Sequence, residues 1–233
     1  MVRILALDTS TAACSAALWR DGAVVARRFE LMERGHAEQL MPMVEAVMAD
    51  AGEDPLGLDL VATTVGPGAF TGLRLGLAAA RALALAAGVG TLGLRTTEAL
   101  AGALAEQEGE APIVAVIDSK RGDVYTEVFS AAGEPLAGPE AIPPADLPAL
   151  LREAGIVPGR CRLCGDAQEA ARGVLDADGW TVETTNVLRP DAAQVAAFAA
   201  ARWHPGEMPA RPAPLYLRPP DAVKPKDGGR LRR

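Results

Sequence analysis

Glycines crowd one stretch of this chain, Gly66-Pro67-Gly68-Ala69-Phe70-Thr71-Gly72-Leu73-Arg74-Leu75-Gly76, between an apolar strand expected over 58–65 and an alanine- and leucine-rich helix expected over 71–87. A glycine-rich turn at a helix start suits phosphate, because free backbone N–H groups and the positive helix end attract anions. A nucleotide P-loop also needs Lys and then Ser or Thr after its last glycine, whereas Gly72 is followed by Leu73 and Arg74. Instead a small residue recurs at every fourth position: Gly72, Gly76, Ala80, Ala84 and Gly88. That spacing lines one helix face and lets another element come close. The motif reads as a docking surface at least as much as a ligand cradle.

The other reactive side chains are sparse. Two histidines, His36 and His204, stand far apart, and Ser10, Ser15, Ser119 and Ser130 have no histidine placed near them by the pattern, which leaves a serine nucleophile without a base. Cys161 and Cys164 imitate half of a zinc or redox motif. On the short strand expected at 160–165, residues three apart face opposite ways, so the thiols diverge, and no second pair completes a metal site. Asp8 and Asp118 each end an apolar strand. The local reading of Asp8-Thr9-Ser10-Thr11 is a tight turn whose side chains satisfy backbone donors.

Periodicity gives the framework that holds these groups. With 233 residues and 49% hydrophobic content, the chain can bury a sizeable core in one large or two small domains. Its net charge of −7 and pI near 5.0 argue against unaided binding to nucleic acid. Three cysteines make no disulfide framework, and a cytoplasmic setting is expected. Met1 to Leu7 runs straight into a strand rather than a signal peptide. The apolar run 69–94 is broken by Arg74 and Arg81 and is expected in a core or interface, not a membrane.

Strands at 2–7, 14–19 and 23–31, with a turn at Arg20-Asp21-Gly22, make an antiparallel meander. A helix over 37–50 buries Leu40, Met43, Val44, Val47 and Met48, with Pro42 placed in its first turn. A strand near 91–94 leads to a helix over 96–107 capped by Thr96 or Thr97. After Gly109 the opening pattern returns: Ile4-Leu5-Ala6-Leu7-Asp8 is echoed by Val114-Ala115-Val116-Ile117-Asp118, and 14–19 by 124–129. Such a repeat implies two related lobes, 1–109 and 110–218. In the second, 138–148 reads as an irregular proline-rich stretch, short helices come next at 149–154 and 165–175, and a strand at 181–184 leads to a helix at 191–203 capped by Asp191 that is expected to pack back on the first lobe. Lys224, Lys226, Arg230, Arg232 and Arg233 form a basic tail at 219–233, expected to be disordered.

Duplicated lobes of mixed sheet flanked by helices, each opening on strand, Asp and hairpin, resemble the actin-like ATPase (ASKHA, ribonuclease H-like) superfamily, an α/β two-lobe fold. Within it, Asp8-Thr9-Ser10-Thr11, the run from Arg34 to Pro42, the Gly66–Gly76 segment, the run from Asp118 to Tyr125, and Pro214-Leu215-Tyr216-Leu217-Arg218 together resemble the TsaB (YeaZ) family over nearly the whole chain. Ala37 and Ala69 stand where that family usually has serine, and Arg81 where it usually has lysine.

The resemblance implies an accessory, non-catalytic scaffold in tRNA threonylcarbamoyladenosine (t6A) synthesis. It implies binding to the catalytic paralogue TsaD, joined by the ATPase TsaE, with a homodimer when TsaD is absent and tRNA met only as part of the complex. TsaD-like enzymes hold metal with two histidines four apart, a pair this chain lacks. Actin-like kinases use an aspartate after the first strand for magnesium, but the second lobe lacks their glycine-rich adenosine loop, so no cofactor of its own is expected; a nucleotide at the TsaD interface is left open. A small-molecule kinase and a glycoprotease-like peptidase are the alternatives. The implied partner face carries His36, Gln39, Leu40, Met43, Gly72, Leu73, Gly76, Leu77 and Ala80. On this reading Gly76→Leu leaves the lobe folded and blocks docking, while packing of the same stripe on the chain's own sheet is the competing use.

Overall fold

The computed structural model describes residues 1–107 and 109–218. The first half runs β1 (Arg3–Thr11), β2 (Ala13–Arg20), β3 (Ala23–Leu31), α1 (His36–Ala51), β4 (Leu60–Gly66), α2 (Phe70–Ala87), β5 (Gly90–Arg95) and α3 (Thr96–Ala105). The second runs β6 (Ile113–Asp118), β7 (Val124–Phe129), β8 (Pro135–Ile142), α4 (Leu147–Glu153), β9 (Arg160–Cys164), α5 (Gln168–Ala177), β10 (Thr181–Thr184) and α6 (Ala192–Arg202). The sheets are ordered β3-β2-β1-β4-β5 and β8-β7-β6-β9-β10, so the two halves share one α/β plan. In each, an antiparallel meander is extended by two parallel strands.

The central strand β1 is covered on both faces, which explains its unbroken apolar run. Leu5 and Leu7 point to α1 and α2, while Ile4 and Ala6 point to α6, the alternation that a two-residue period demands. The β2–β3 turn is the expected two-residue hairpin: Asp21 and Gly22 both have positive φ, at 47° and 105°. The five apolar residues expected to face inward from α1 are all buried.

The third helices are exchanged. α3 sets Leu100, Ala101 and Leu104 against Ile113, Ala115, Ile117 and Phe129 of the second sheet. α6 returns Ala192, Val195, Ala196 and Ala199 to Ile4, Ala6, Ala17, Leu60 and Ala62 of the first. Each half thus supplies a helix to the other's core.

Four local expectations change. The segment Asp8–Thr11 is strand rather than turn, because β1 extends through Thr11 and pairs it with Ala13. Pro42 falls in the second turn of α1, since the helix starts at His36; the carbonyl it cannot serve belongs to Glu38, an exposed residue. Thr96 and Thr97 are buried inside α3, and the cap is made instead by Glu98, whose Oε2 accepts from the Arg95 N–H at 2.8 Å. Residues 135–142, expected to be irregular in part, form β8, an edge strand where a proline's missing donor is tolerated. The expected basic tail lies outside the described residues.

Candidate functional site

The small-residue stripe of α2 is seated on this chain's own sheet. Gly72, Leu73, Gly76, Leu77, Ala80 and Ala84 are all buried. A Cβ on Gly72 would drive into the Thr9 carbonyl oxygen; one on Gly76 would lie 2.7 Å from Thr9 Oγ1 and 3.2 Å from Thr63 Oγ1. The fit is reinforced by Thr9 Oγ1, which donates to the Gly72 carbonyl at 2.7 Å. Leu40 and Met43 also belong to the core beneath α1. Of the nine expected partner residues, Leu40, Met43, Gly72, Leu73, Gly76, Leu77 and Ala80 are thus buried in the chain's own core rather than presented on its surface: the glycines let α2 sink onto β1 and β4. Of the expected partner residues, Gln39 is exposed, and His36 is half-buried at the first position of α1 with Nε2 3.0 Å from the Thr11 carbonyl oxygen.

The opposite face of α2 is apolar and uncovered. Ala78, Ala82 and Ala86 are exposed, and Leu85 is 84% exposed. α2 has the length and hydropathy of a membrane-crossing helix, yet its other face is committed to the sheet. Beside it, α1 exposes Met41 and Pro42, and Leu75, Ala79 and Leu83 pack into the core shared with α1. The two helices make one outer layer over the first sheet.

Asp8 is fully buried and already engaged. Its Oδ1 accepts from Ser10 Oγ at 2.6 Å, Thr64 Oγ1 at 2.6 Å and the Ser10 N–H at 3.3 Å, while Oδ2 has no protein partner. Burial pushes its pKa up to about 6; the Ser10 and Thr64 hydrogen bonds oppose the rise, and the charge of Asp191 adds to it. Because the folded value lies above the unfolded one, the native state binds the proton more tightly between about pH 4 and 6, and stability falls as pH rises through that window. Asp8→Asn is expected to remove this component, worth about 3 kcal/mol by pH 7. Denaturant titrations of parent and variant at pH 4 and 7 measure it; parallel pH dependences would refute it.

The two halves enclose a cleft of about 540 Å³. One wall is the Pro67–Phe70 turn with Arg74; the other is the Ser119–Arg121 loop with Tyr125, which comes after the β6 carboxylate Asp118. The third is an extended C-terminal strap. Leu215 N–H donates to the Val65 carbonyl at 2.7 Å, and Tyr216 stacks on Phe70 with ring centroids 5.3 Å apart. Arg74 lies 3.7 Å over the Phe70 ring, and its Nε donates to Tyr216 Oη at 2.9 Å. Tyr216 thus anchors the strap. The strap's approach along Gly90 and Gly93, where Pro209 and Pro212 lie too close for a Cβ, is signalled in the sequence only by the run of prolines. Lys120 pairs with Asp118 at 3.0 Å. Partial burial pushes Asp118 up, but the Lys120 N–H and ammonium outweigh it and hold the carboxyl below its usual range.

Among the described residues, the remaining cysteines and serines stand in structural roles. Cys161 and Cys164 belong to different core clusters, as their strand spacing predicts, and burial pushes the thiols of Cys14 and Cys161 up to about 12 and about 11. Ser10 is bonded to Asp8, Ser15 Oγ accepts from the Ala192 N–H, and Ser130 Oγ from the Glu134 N–H. Among the described residues, no group of three His, Cys, Asp or Glu side chains could hold a metal ion.

Residues 29–174 match the family model described as TsaD: tRNA N6-adenosine threonylcarbamoyltransferase. The chain is 40% identical over 124 residues to the tRNA threonylcarbamoyladenosine biosynthesis protein TsaB of Escherichia coli, a match spanning 53% of each, so it is aligned with about half the length of that relative. It is 35% identical over 221 residues to an uncharacterized protein of Mycobacterium tuberculosis, covering 94% of this chain and 93% of that one. The solved structure of YeaZ from Pseudomonas aeruginosa superposes with a TM-score of 0.75 at 29% identity, covering 93% of this chain and all of that one. A ROK hexokinase from Thermus thermophilus, 15% identical with a TM-score of 0.50 over 85% of this chain and 99% of that one, shares the actin-like fold alone.

Proposed function

The chain belongs to the family described as TsaD, tRNA N6-adenosine threonylcarbamoyltransferase, in its TsaB (YeaZ) group, and from that premise we propose that it is a non-catalytic subunit for threonylcarbamoyladenosine synthesis on tRNA, docking a TsaD protein on the outer face of α1 and α2. The observation that carries this reading is the uncovered apolar face of α2 around Leu85, on a helix whose other face is fully used. Met41 beside it supplies an adaptable contact. In this reading the ATPase TsaE completes the assembly, and a second copy of the chain covers the same face when TsaD is absent.

The non-catalytic part rests on the state of the would-be reactive groups. Asp8 spends one oxygen on three hydrogen bonds inside the core, one of them from the Ser10 hydroxyl, and His36 contacts the Thr11 carbonyl oxygen rather than a serine hydroxyl. Leu85→Asp is expected to weaken TsaD binding by about a hundredfold, since it forces a charge into an apolar contact. Its melting temperature should match the parent's, because Leu85 touches little within the chain. Size-exclusion chromatography of the mixed proteins reads the first effect and thermal unfolding the second. Undiminished co-elution would remove the α2 face from the interface, and threonylcarbamoylation of tRNA by this chain alone would overturn the non-catalytic assignment.

A further inference from the structure

The cleft between the halves is a second surface, remote in chemistry from the apolar face of α2. Four features coincide in it. Its volume of about 540 Å³ is room for a base with its sugar. Its walls carry Phe70, Tyr125 and Tyr216, of which Phe70 is 48% and Tyr216 41% exposed. Cations enter from both halves: Arg74 from α2, which has no carboxylate partner among the described residues, and Lys120 and Arg121 from the loop after β6. The Ser119 hydroxyl, buried in the same lining, has no hydrogen-bond partner among the described residues.

We propose that this cleft binds an unpaired segment of RNA, a base resting on the Phe70–Tyr216 aromatic surface while Arg74, Lys120 and Arg121 take the adjoining phosphates. Aromatic faces between cations are the chemistry by which single strands are held without reading a duplex. A free nucleotide's phosphate chain would need a backbone cradle, and the glycine turn does not offer one. The Ala69 N–H is spent on the Ser10 carbonyl at 2.7 Å, and the space beside Gly66 and Gly68 is filled by the backbones of Leu215 and Ser10. Recognition therefore falls to side chains spaced across the cleft, which suits a strand with several phosphates. The chain also continues from Arg218, on the cleft rim, into a sequence with five cations, Lys224, Lys226, Arg230, Arg232 and Arg233, against Asp221 and Asp227. That run carries five basic against two acidic side chains, so its charge is opposite in sign to the overall −7. The inference stands whether or not α2 docks a partner.

Fluorescence anisotropy of the full chain with a labelled oligoadenylate of about a dozen nucleotides tests it. Saturable binding is expected at low salt, with log K falling against log salt at a slope of about −2 for three phosphate contacts. Lys120→Glu, at a side chain 73% exposed and paired with Asp118 of its own loop, should weaken binding about tenfold or more. Tyr216→Ala should do the same through lost stacking, with circular dichroism confirming the fold in both. AMP at equal concentration should not displace the strand. Displacement by AMP would overturn the strand reading in favour of a mononucleotide, and equal displacement by polyglutamate would overturn it in favour of an acidic peptide. Loss of binding only when the five tail cations are changed to Gln, with Lys120→Glu behaving like the parent, would move the site off the cleft and refute the proposal.

Discussion

Gly76→Leu lowers the melting temperature of the isolated chain by about 4–8 °C, and Gly72→Ala does so by at least as much. Both substitutions raise helix propensity by roughly 1 kcal/mol, so an unseated helix would be stabilised. Against that gain stands the contact geometry. At Gly76 the first added carbon already meets Thr9 Oγ1 at 2.7 Å and Thr63 Oγ1 at 3.2 Å, and a leucine adds three more carbons to a space that does not exist. At Gly72 the obstacle is the Thr9 carbonyl oxygen, a backbone atom of the central strand that cannot swing aside, and the carbonyl of Gly72 itself would lose the Thr9 hydroxyl it accepts from. Overpacking of this kind costs about 3 kcal/mol, which leaves a net loss of about 2 kcal/mol after the propensity gain and, in a chain of this size, gives the stated shift. Differential scanning calorimetry on parent and variants reads it directly. A Gly76→Leu chain that melts like the parent would restore the view that the stripe faces outward to a partner.

The stripe shows where sequence reading stops. Small residues four apart say that something approaches closely, and they carry no information on whether the approaching body is a second protein or the chain's own β1. The deciding atoms, Thr9 Oγ1 and its carbonyl, sit more than sixty residues away, and only the parallel pairing of β1 with β4 brings them under α2. The duplicated plan is legible because strand, aspartate and hairpin recur with the same local signals, and those signals are local physics: apolar alternation, a two-residue turn, helix spacing. The exchange of α3 and α6 between the halves is only partly so. α6 advertises a small apolar face of Ala192, Val195, Ala196 and Ala199, but which sheet receives it depends on how the two halves lie together. Asp8 misleads for a related reason: polar residues in a row look like a turn, and here burial between two helical layers keeps them in strand, where they bond one another and Thr64. The cleft needs three remote segments at once, and of these only the Pro-Leu-Tyr-Leu-Arg strap hints at its role, through its tyrosine.

The junction of the halves gives the second large effect. Glu127 on β7 is wholly buried and receives Arg95 from the end of β5, with Nε 3.1 Å from Oε2 and Nη2 3.0 Å from Oε1; the Thr97 hydroxyl of α3 donates to the same carboxylate. Arg95 also pairs with Glu98 at 2.9 Å, and Arg202 of α6 reaches Glu98 at 3.0 Å, so both sheets and the exchanged helices meet in one network. Burial nevertheless pushes the Glu127 carboxyl above its usual range, against the pull of Thr97 and Arg95. The ionised form is thus held at a cost, and the network's value lies in filled space and satisfied donors more than in net Coulomb energy. Two substitutions separate these contributions. Glu127→Ala removes the acceptor of Thr97, leaves the Arg95 guanidinium to Glu98 alone and opens a void, and it should destabilise by about 3 kcal/mol at neutral pH. Glu127→Gln keeps shape and one carbonyl acceptor for Thr97 while sparing the buried charge, and it should lie within about 1 kcal/mol of the parent. Denaturant unfolding of both variants at pH 7 gives the comparison, and Arg95→Met, Glu127→Met and the double variant together form a double-mutant cycle. If Gln costs as much as Ala, the ion pair itself holds the halves together and outweighs the cost of burying the charge.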